Sequence, residues 1–201
     1  MRFWVQVFSS RERNPNFHEA LEQHLRSVVE PGVELEVHGT RKGGLGEQSC
    51  MMGKTFSLIT PNPKFALSFE QKLKLYGLTE RLTSIEAMNI PNLADYRQGF
   101  IDPQAHQRVM TEFDQAARRA VAAGAEVLIP CGSHAVLQAR RGLREIDGAL
   151  IVDGLAMLMK MAETAVRLQK IMGTVVSRKL LYQMPGEDVR AKAQQDYGIK
   201  F

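Results

Sequence analysis

The sequence contains few cysteines and no long hydrophobic run. Only Cys50 and Cys131 occur in 201 residues, too few for a disulfide scaffold. No apolar stretch approaches the roughly 20 residues that span a bilayer. The N-terminal residues MRFWVQVF lack the cationic start and long apolar core of a signal peptide. We therefore expect a cytoplasmic protein with reduced thiols and no membrane partner.

Motifs for metals, nucleotides and nucleic acids are also missing. The chain has no H-E-x-x-H, no C-x-x-C and no phosphate-binding loop, and GGLG at 43–46 opens no predicted helix. The net charge is only +4, and the basic stretches at 117–120 and 139–144 are more typical of solvated helix faces than of a nucleic-acid site. We predict no metal, no cofactor and no nucleic-acid partner, although the mild positive charge favours small anionic substrates.

Strand-like and helix-like segments alternate along the chain. The predicted strands cover 2–8, 33–39, 55–60, 82–88, 126–130 and 149–152, and the predicted helices cover 14–29, 62–77, 102–124, 133–143 and 153–173. Strands separated by helices of this length predict an α/β fold with a parallel sheet. Ligands bind beyond the carboxyl ends of such strands, so the corners after Phe8, Ile59 and Pro130 are candidate sites.

The corner after Pro130 carries the sequence EVLIPCGSHAVL, in which a thiol stands between a buried strand and a helix start. The helix dipole predicts a pKa for Cys131 below the usual value of about 8.5. Gly132 permits close approach of an oxyanion to backbone amides, and Ser133 can cap the helix or bind an anion. His134 is a candidate for assisting the thiol or binding substrate. The alternative is that Cys131 is a buried structural cysteine.

Four segments resemble the aspartate/glutamate/hydantoin racemase superfamily, and most closely its hydantoin racemase branch. They are GKTFSLIT at 53–60, YGLTERLTSIEAMNIP at 76–91, AGAEVLIPCG at 123–132 and IVDGLAMLMKMAE at 151–163. The resemblance implies two similar α/β lobes, each a parallel sheet flanked by helices, with the active site in the cleft between them. Residues 1–54, with 153–201 packing back on them, would form the first lobe, and 55–152 the second.

The resemblance also implies a cofactor-independent site and a homo-oligomer. Cys131 matches a catalytic cysteine that transfers a proton at the carbon alpha to a carboxyl or cyclic amide carbonyl. The residues expected to bind the substrate are Thr60, Gly132, Ser133, His134, Asp153 and Gly154. For Asp153, a purely structural role as the cap of the following helix is an equal alternative.

One departure from the family leaves the reaction open. The first-lobe cysteine has no clear counterpart, because Cys50 is poorly placed, and a unit of about 40 residues is expected to be missing between Gln48 and Ser49. Two facing cysteines predict a racemase or isomerase acting on a hydantoin-like or amino-acid-like substrate. With a single cysteine, the resemblance implies an arylmalonate-type decarboxylase, and a maleate-type cis-trans isomerase is a third option within the family. A binding protein without catalysis is the remaining alternative.

Overall fold

The structure is a computed structural model that describes residues 2–7, 15–39, 52–90, 93–132, 134–174, 176–179 and 183–197. The chain divides into two compact units, residues 1–161 and residues 162–201. The first unit contains every strand of the described residues. The second unit contains the carboxyl-terminal part of one long helix and a further helix.

The strands, in chain order, are β1 (Arg2–Val7), β2 (Glu34–Gly39), β3 (Phe56–Thr60), β4 (Leu82–Ala87), β5 (Val127–Pro130), β6 (Glu145–Ile146) and β7 (Ala149–Ile151). The α-helices are α1 (Pro15–Val28), α2 (Ala66–Leu75), α3 (Leu93–Gln98), α4 (Pro103–Ala122), α5 (His134–Arg141), α6 (Gly154–Met172) and α7 (Glu187–Tyr197). Short 3₁₀ turns occupy Pro63–Phe65 and Thr79–Arg81.

A five-stranded sheet in the order β4-β3-β5-β7-β6 forms the centre of the first unit. Its first four strands are parallel, and only the short β6 pairs with β7 in the antiparallel direction. The strands β1 and β2 form a separate parallel pair. The α/β class and the mainly parallel sheet flanked by helices are therefore confirmed.

The two faces of the five-stranded sheet bury different sets of apolar side chains, because successive residues of a strand point to opposite faces. Ile59 and Leu128 pack with the buried face of α4, including Phe113. Leu58 and Ile129 pack on the other face with Leu73 of α2, and this cluster includes Cys131, Val152 and Met157. Cys131 thus shares a face with Leu58 and Ile129.

Local signals in the sequence place the helices correctly. Asp102 caps α4 by accepting a hydrogen bond from the Ala105 amide at 2.7 Å, and Gly124 follows the helix with φ of 95°. The apolar face predicted for α1 is buried around Leu21 and Leu25, which pack against Val136 and Met159. This contact joins α1 to the helices that follow β5 and β7.

Three elements were not predicted from the sequence. These are the helices α3 and α7 and the strand β6, which forms a hairpin with β7 through Asp147 and Gly148. The predicted lobe boundaries remain a prediction, and the expected gap between Gln48 and Ser49 lies outside the described residues. Among the described residues, no helix is long and apolar enough to cross a membrane.

Candidate functional site

The carboxyl ends of four parallel strands meet at one edge of the sheet. The Cys131 amide donates to the Ile59 carbonyl at 2.8 Å, the Met88 amide to the Thr60 carbonyl at 2.8 Å, and the Val152 amide to the Leu128 carbonyl at 2.9 Å. These bonds continue the parallel register one residue beyond the strands. They bring Thr60, Cys131 and the backbone of Asp153 to the same edge, as the alternation of strands and helices predicts.

Cys131 is 5% exposed and lies on the same face of the sheet as Thr60, which is fully buried. The Cys131 Sγ donates a hydrogen bond to the Ile129 carbonyl at 3.4 Å, and the Thr60 hydroxyl donates to the Asn62 carbonyl at 3.1 Å. Both side chains are therefore satisfied by backbone groups of the protein. The two residues form the centre of the candidate site.

The expectation of a lowered pKa for Cys131 is wrong for this structure. Burial raises the pKa of the Cys131 thiol to about 12, because a thiolate in this apolar cluster would lose its solvation. The backbone of Ile59 and the positive charge of Lys72 lower the pKa by smaller amounts. The thiol is accordingly held in its protonated form.

Lys72 is a charged neighbour of the thiol that sequence reasoning missed. It lies on α2, with its ammonium group 5.6 Å from the centre of the Phe69 ring. Its charge favours the thiolate form of Cys131, so it opposes the effect of burial. The helix pattern at 62–77 contains four lysine and glutamate positions that look equally exposed in the sequence, and only the packing of α2 distinguishes Lys72.

Gly132 is exposed and adopts a φ of 108°, a conformation that residues with a Cβ rarely adopt. The φ angle therefore favours glycine at this position. Crowding does not, because a Cβ added here would lie no closer than 3.9 Å to any neighbouring atom. The amides of Cys131, His134 and Ala135 already donate to groups of the protein. Fewer backbone donors are thus open to an oxyanion at this corner than the sequence suggested.

His134 is fully buried, and its ring packs against Phe113 of α4, whereas Cys131 belongs to the apolar cluster on the other face of the sheet. Its ring contacts Phe113 and Tyr96, with ring centres 5.8 Å apart in each case. The Tyr96 hydroxyl accepts the His134 amide hydrogen and lies 2.8 Å from His134 Nδ1. Tyr96 therefore caps the start of α5 from a distant part of the chain.

The environment of His134 keeps the imidazole neutral. Burial lowers the pKa of His134 to about 3, although the nearby backbone of Ile59 opposes this shift. His134 Nε2 and the neighbouring Gln138 Oε1 are buried without a hydrogen-bond partner in the part of the chain that is described. Within the described residues, no hydrogen bond joins the His134 ring to the thiol, and a role for His134 in the reaction stays a prediction.

Asp153 lies at the start of α6, and its side chain turns toward α1. Its Oδ1 accepts the Ala156 amide hydrogen at 3.0 Å, and its Oδ2 lies 2.9 Å from His24 Nε2. Burial alone would raise the pKa of Asp153, but His24 and the Ala156 amide outweigh it, so the pKa is lower than usual. The predicted helix cap is confirmed, and the pairing with His24 was not foreseen. Gly154 is the first residue of α6.

Two sequence-predicted candidates, Ser133 and Cys50, lie outside the described residues. Within the described ranges, no three His, Cys, Asp or Glu side chains are grouped in a way that would hold a metal ion. The site that the structure assembles is therefore a protonated thiol and a threonine at one sheet edge, with a nearby lysine.

Solved structures of two allantoin racemases have a similar fold. The enzyme from Klebsiella pneumoniae matches 92% of this chain and 94% of its own with a TM-score of 0.68 and 17% identity. The enzyme from Pseudomonas fluorescens matches 92% and 97% with a TM-score of 0.67 and 22% identity. No protein-family model and no curated relative matches the sequence. The chain thus has the mixed α/β fold of these racemases.

Proposed function

We propose that the protein is a racemase or isomerase of the aspartate/glutamate/hydantoin racemase superfamily. It would transfer a proton at the carbon alpha to a carboxyl or cyclic amide carbonyl, without a cofactor. The observation that carries the proposal is the position of Cys131 beside Thr60 at the carboxyl edge of the sheet, in a fold similar to those of two allantoin racemases over 92% of the chain. Allantoin is a cyclic amide, so it belongs to the proposed substrate class.

The protonated thiol suggests which half of the reaction Cys131 performs. Because the thiol is protonated at neutral pH, it can donate its proton to the alpha carbon of an enolate, which forms a C–H bond and leaves a thiolate. The positive charge of Lys72 would stabilise that thiolate. For racemisation, a second group must first take the original proton from the opposite side of the carbon. Cys50 remains a weak candidate for that group.

The proposal retains three expectations from the sequence: a cytoplasmic location, a homo-oligomer and two lobes that enclose the site. It also retains Gly132, Ser133, Asp153 and Gly154 as candidate substrate contacts. His134 is proposed to position the start of α5 through Tyr96 and not to transfer protons, because its imidazole is buried on the other face of the sheet.

Exchange of the substrate's alpha proton with heavy water tests the proposal. Allantoin, other hydantoins, aspartate, glutamate, arylmalonates and maleate are followed by proton NMR in deuterium oxide. We expect deuterium to enter the alpha position of one of them, first in the inverted product. Cys131→Ser should slow this exchange by about 10²- to 10⁴-fold, because the serine hydroxyl is a much weaker acid than the thiol.

The same experiment separates the alternatives. Deuterium that enters only with loss of carbon dioxide indicates a decarboxylase, and deuterium-free interconversion of maleate and fumarate indicates a cis-trans isomerase. The absence of both exchange and interconversion for every one of the compounds favours a binding protein. Cys50→Ser is the companion variant, since loss of exchange in that variant would identify Cys50 as the second base.

A further inference from the structure

An open recess lies between α1 and α5, on the side of α5 where Asp153 meets His24. Its volume is about 490 Å³. The lining residues are Gln23, His24, Ser27, Val28, Ala139, Arg140, Arg144 and Asp153. Cys131 and Thr60 do not line it, so it is separate from the thiol. Its walls are fixed by the packing of α1 against Val136 and Met159.

The three arginines of the basic stretch at 139–144 have two different environments. Arg141 forms a bidentate ion pair with Asp114, with N–O distances of 2.6 and 2.9 Å. Arg140 and Arg144 line the recess instead, and both are exposed. Within the described residues, neither of these two guanidinium groups has an ion pair or a hydrogen bond. The two guanidinium groups together carry ten N–H donors, and none of them is accepted by a group of the described residues.

The acidic groups near the recess are already engaged. Among the described residues, Asp153 is its only acidic lining residue, and its carboxylate is held by His24 and the Ala156 amide. Glu19 lines a smaller adjoining recess of about 170 Å³, which Arg140 also borders. The Glu19 carboxylate accepts a hydrogen bond from Gln23 at 2.9 Å. The described lining of the larger recess thus carries two guanidinium groups and one carboxylate, an excess of one positive charge in a concave space.

We propose that this recess binds a small oxyanion, either a carboxylate or a phosphate, between the guanidinium groups of Arg140 and Arg144. Arginine offers a planar pair of donors that matches the oxygens of both anions. The volume exceeds that of an inorganic ion, so the natural ligand is a small organic molecule bearing such a group. The recess shares Asp153 with the candidate substrate contacts, but the proposal does not depend on the racemase chemistry, because the two arginines take no part in the proposed proton transfer.

The test uses the full chain and two probes, inorganic phosphate and malonate. Each is titrated at constant ionic strength and pH while the arginine Nε–H signals are followed by two-dimensional NMR. We expect saturable shifts with a dissociation constant on the order of 1 mM for at least one probe. The double variant Arg140→Gln/Arg144→Gln should bind that probe at least tenfold more weakly. Saturation by one probe and not by the other distinguishes phosphate from carboxylate recognition.

A control variant that removes the same number of positive charges elsewhere distinguishes binding in the recess from nonspecific electrostatic attraction. Arg118→Gln/Lys74→Gln removes the same charge from exposed positions outside the recess, and should leave the dissociation constant within twofold. Shifts that do not saturate, or equal weakening in both double variants, would overturn the proposal. Both substitution pairs are exposed, so thermal unfolding should confirm that all variants remain folded. Neither readout involves turnover, so failure here is distinct from failure of the proposed function.

Discussion

The strands β5 and β7 end side by side at one edge of the sheet, but the polar groups that follow them differ in ionisation. Cys131 lies in an apolar cluster, and its pKa is raised to about 12. Asp153 is partly open to solvent and contacts His24 and the Ala156 amide, and its pKa is lowered. Both residues precede a helix, so proximity to a helix start does not decide the ionisation. The solvation and partners of each group decide it.

The two helices also begin with different kinds of cap. α6 is capped by Asp153, whose carboxylate accepts the amide hydrogen three residues further on. α5 receives its cap from Tyr96, which lies 38 residues earlier in the chain. A local cap forms with its own helix, whereas the Tyr96 cap exists only when α3 is docked. The start of α5, next to the proposed catalytic cysteine, therefore depends on tertiary structure.

The largest expected effect concerns the reactivity of the Cys131 thiol. At pH 7 we expect iodoacetamide to label Cys131 in the folded protein at least tenfold more slowly than in the urea-unfolded chain. A rise in pKa from 9.0 to about 12 reduces the thiolate population about 10³-fold, and the greater nucleophilicity of the remaining thiolate offsets only part of this loss. Peptide mass spectrometry at successive times measures Cys131 and Cys50 separately.

The pH dependence of labelling provides the control. The labelling rate of folded Cys131 should continue to increase above pH 9, where the rate for the unfolded chain levels off. Because the folded thiol holds its proton more tightly, this group should also lower the stability of the fold as pH rises from 9 toward 12. Faster labelling in the folded protein would instead support the low pKa that the sequence predicts.

The next effect concerns the remote cap of α5. Tyr96→Phe removes the oxygen that accepts the His134 amide hydrogen and contacts His134 Nδ1, leaving both groups buried without a partner. We expect a loss of about 1–3 kcal/mol in the free energy of unfolding, measured by urea denaturation. Tyr76→Phe is the matched control, because Tyr76 is 52% exposed and should change stability by less than about 0.5 kcal/mol. Equal effects in the two variants would show that Tyr96 does not act as a cap.

The contrast between local and remote contacts also explains how much the sequence could predict. The caps at Asp102 and Asp153 were predictable because each carboxylate accepts the amide hydrogen of the residue three positions further along the chain. The hairpin at Asp147 and Gly148 carries the usual Asp-Gly signal, and a search for hairpins would have found it. The pKa of Cys131 was not predictable, since its burial depends on side chains from α2 and α6.

The smallest expected effect concerns Asp153, the local cap of α6. Two substitutions separate the contribution of its charge to stability from that of its hydrogen bond. Asp153→Asn keeps an oxygen that can cap α6 but removes the charge beside His24, so we expect a loss of about 0.5 kcal/mol at pH 6. Asp153→Ala removes both and should cost about 1–2 kcal/mol in the free energy of unfolding.

The lowered pKa of Asp153 stabilises the fold above its usual value of 3.8 and ceases to do so as pH falls through the lower folded value. The gap between the wild type and Asp153→Asn should therefore narrow from pH 6 to pH 3 in urea denaturation. Asp196→Asn, an exposed substitution on α7, should show no such gap at either pH. A gap that stays constant would mean that the Asp153 charge is not what couples α6 to His24.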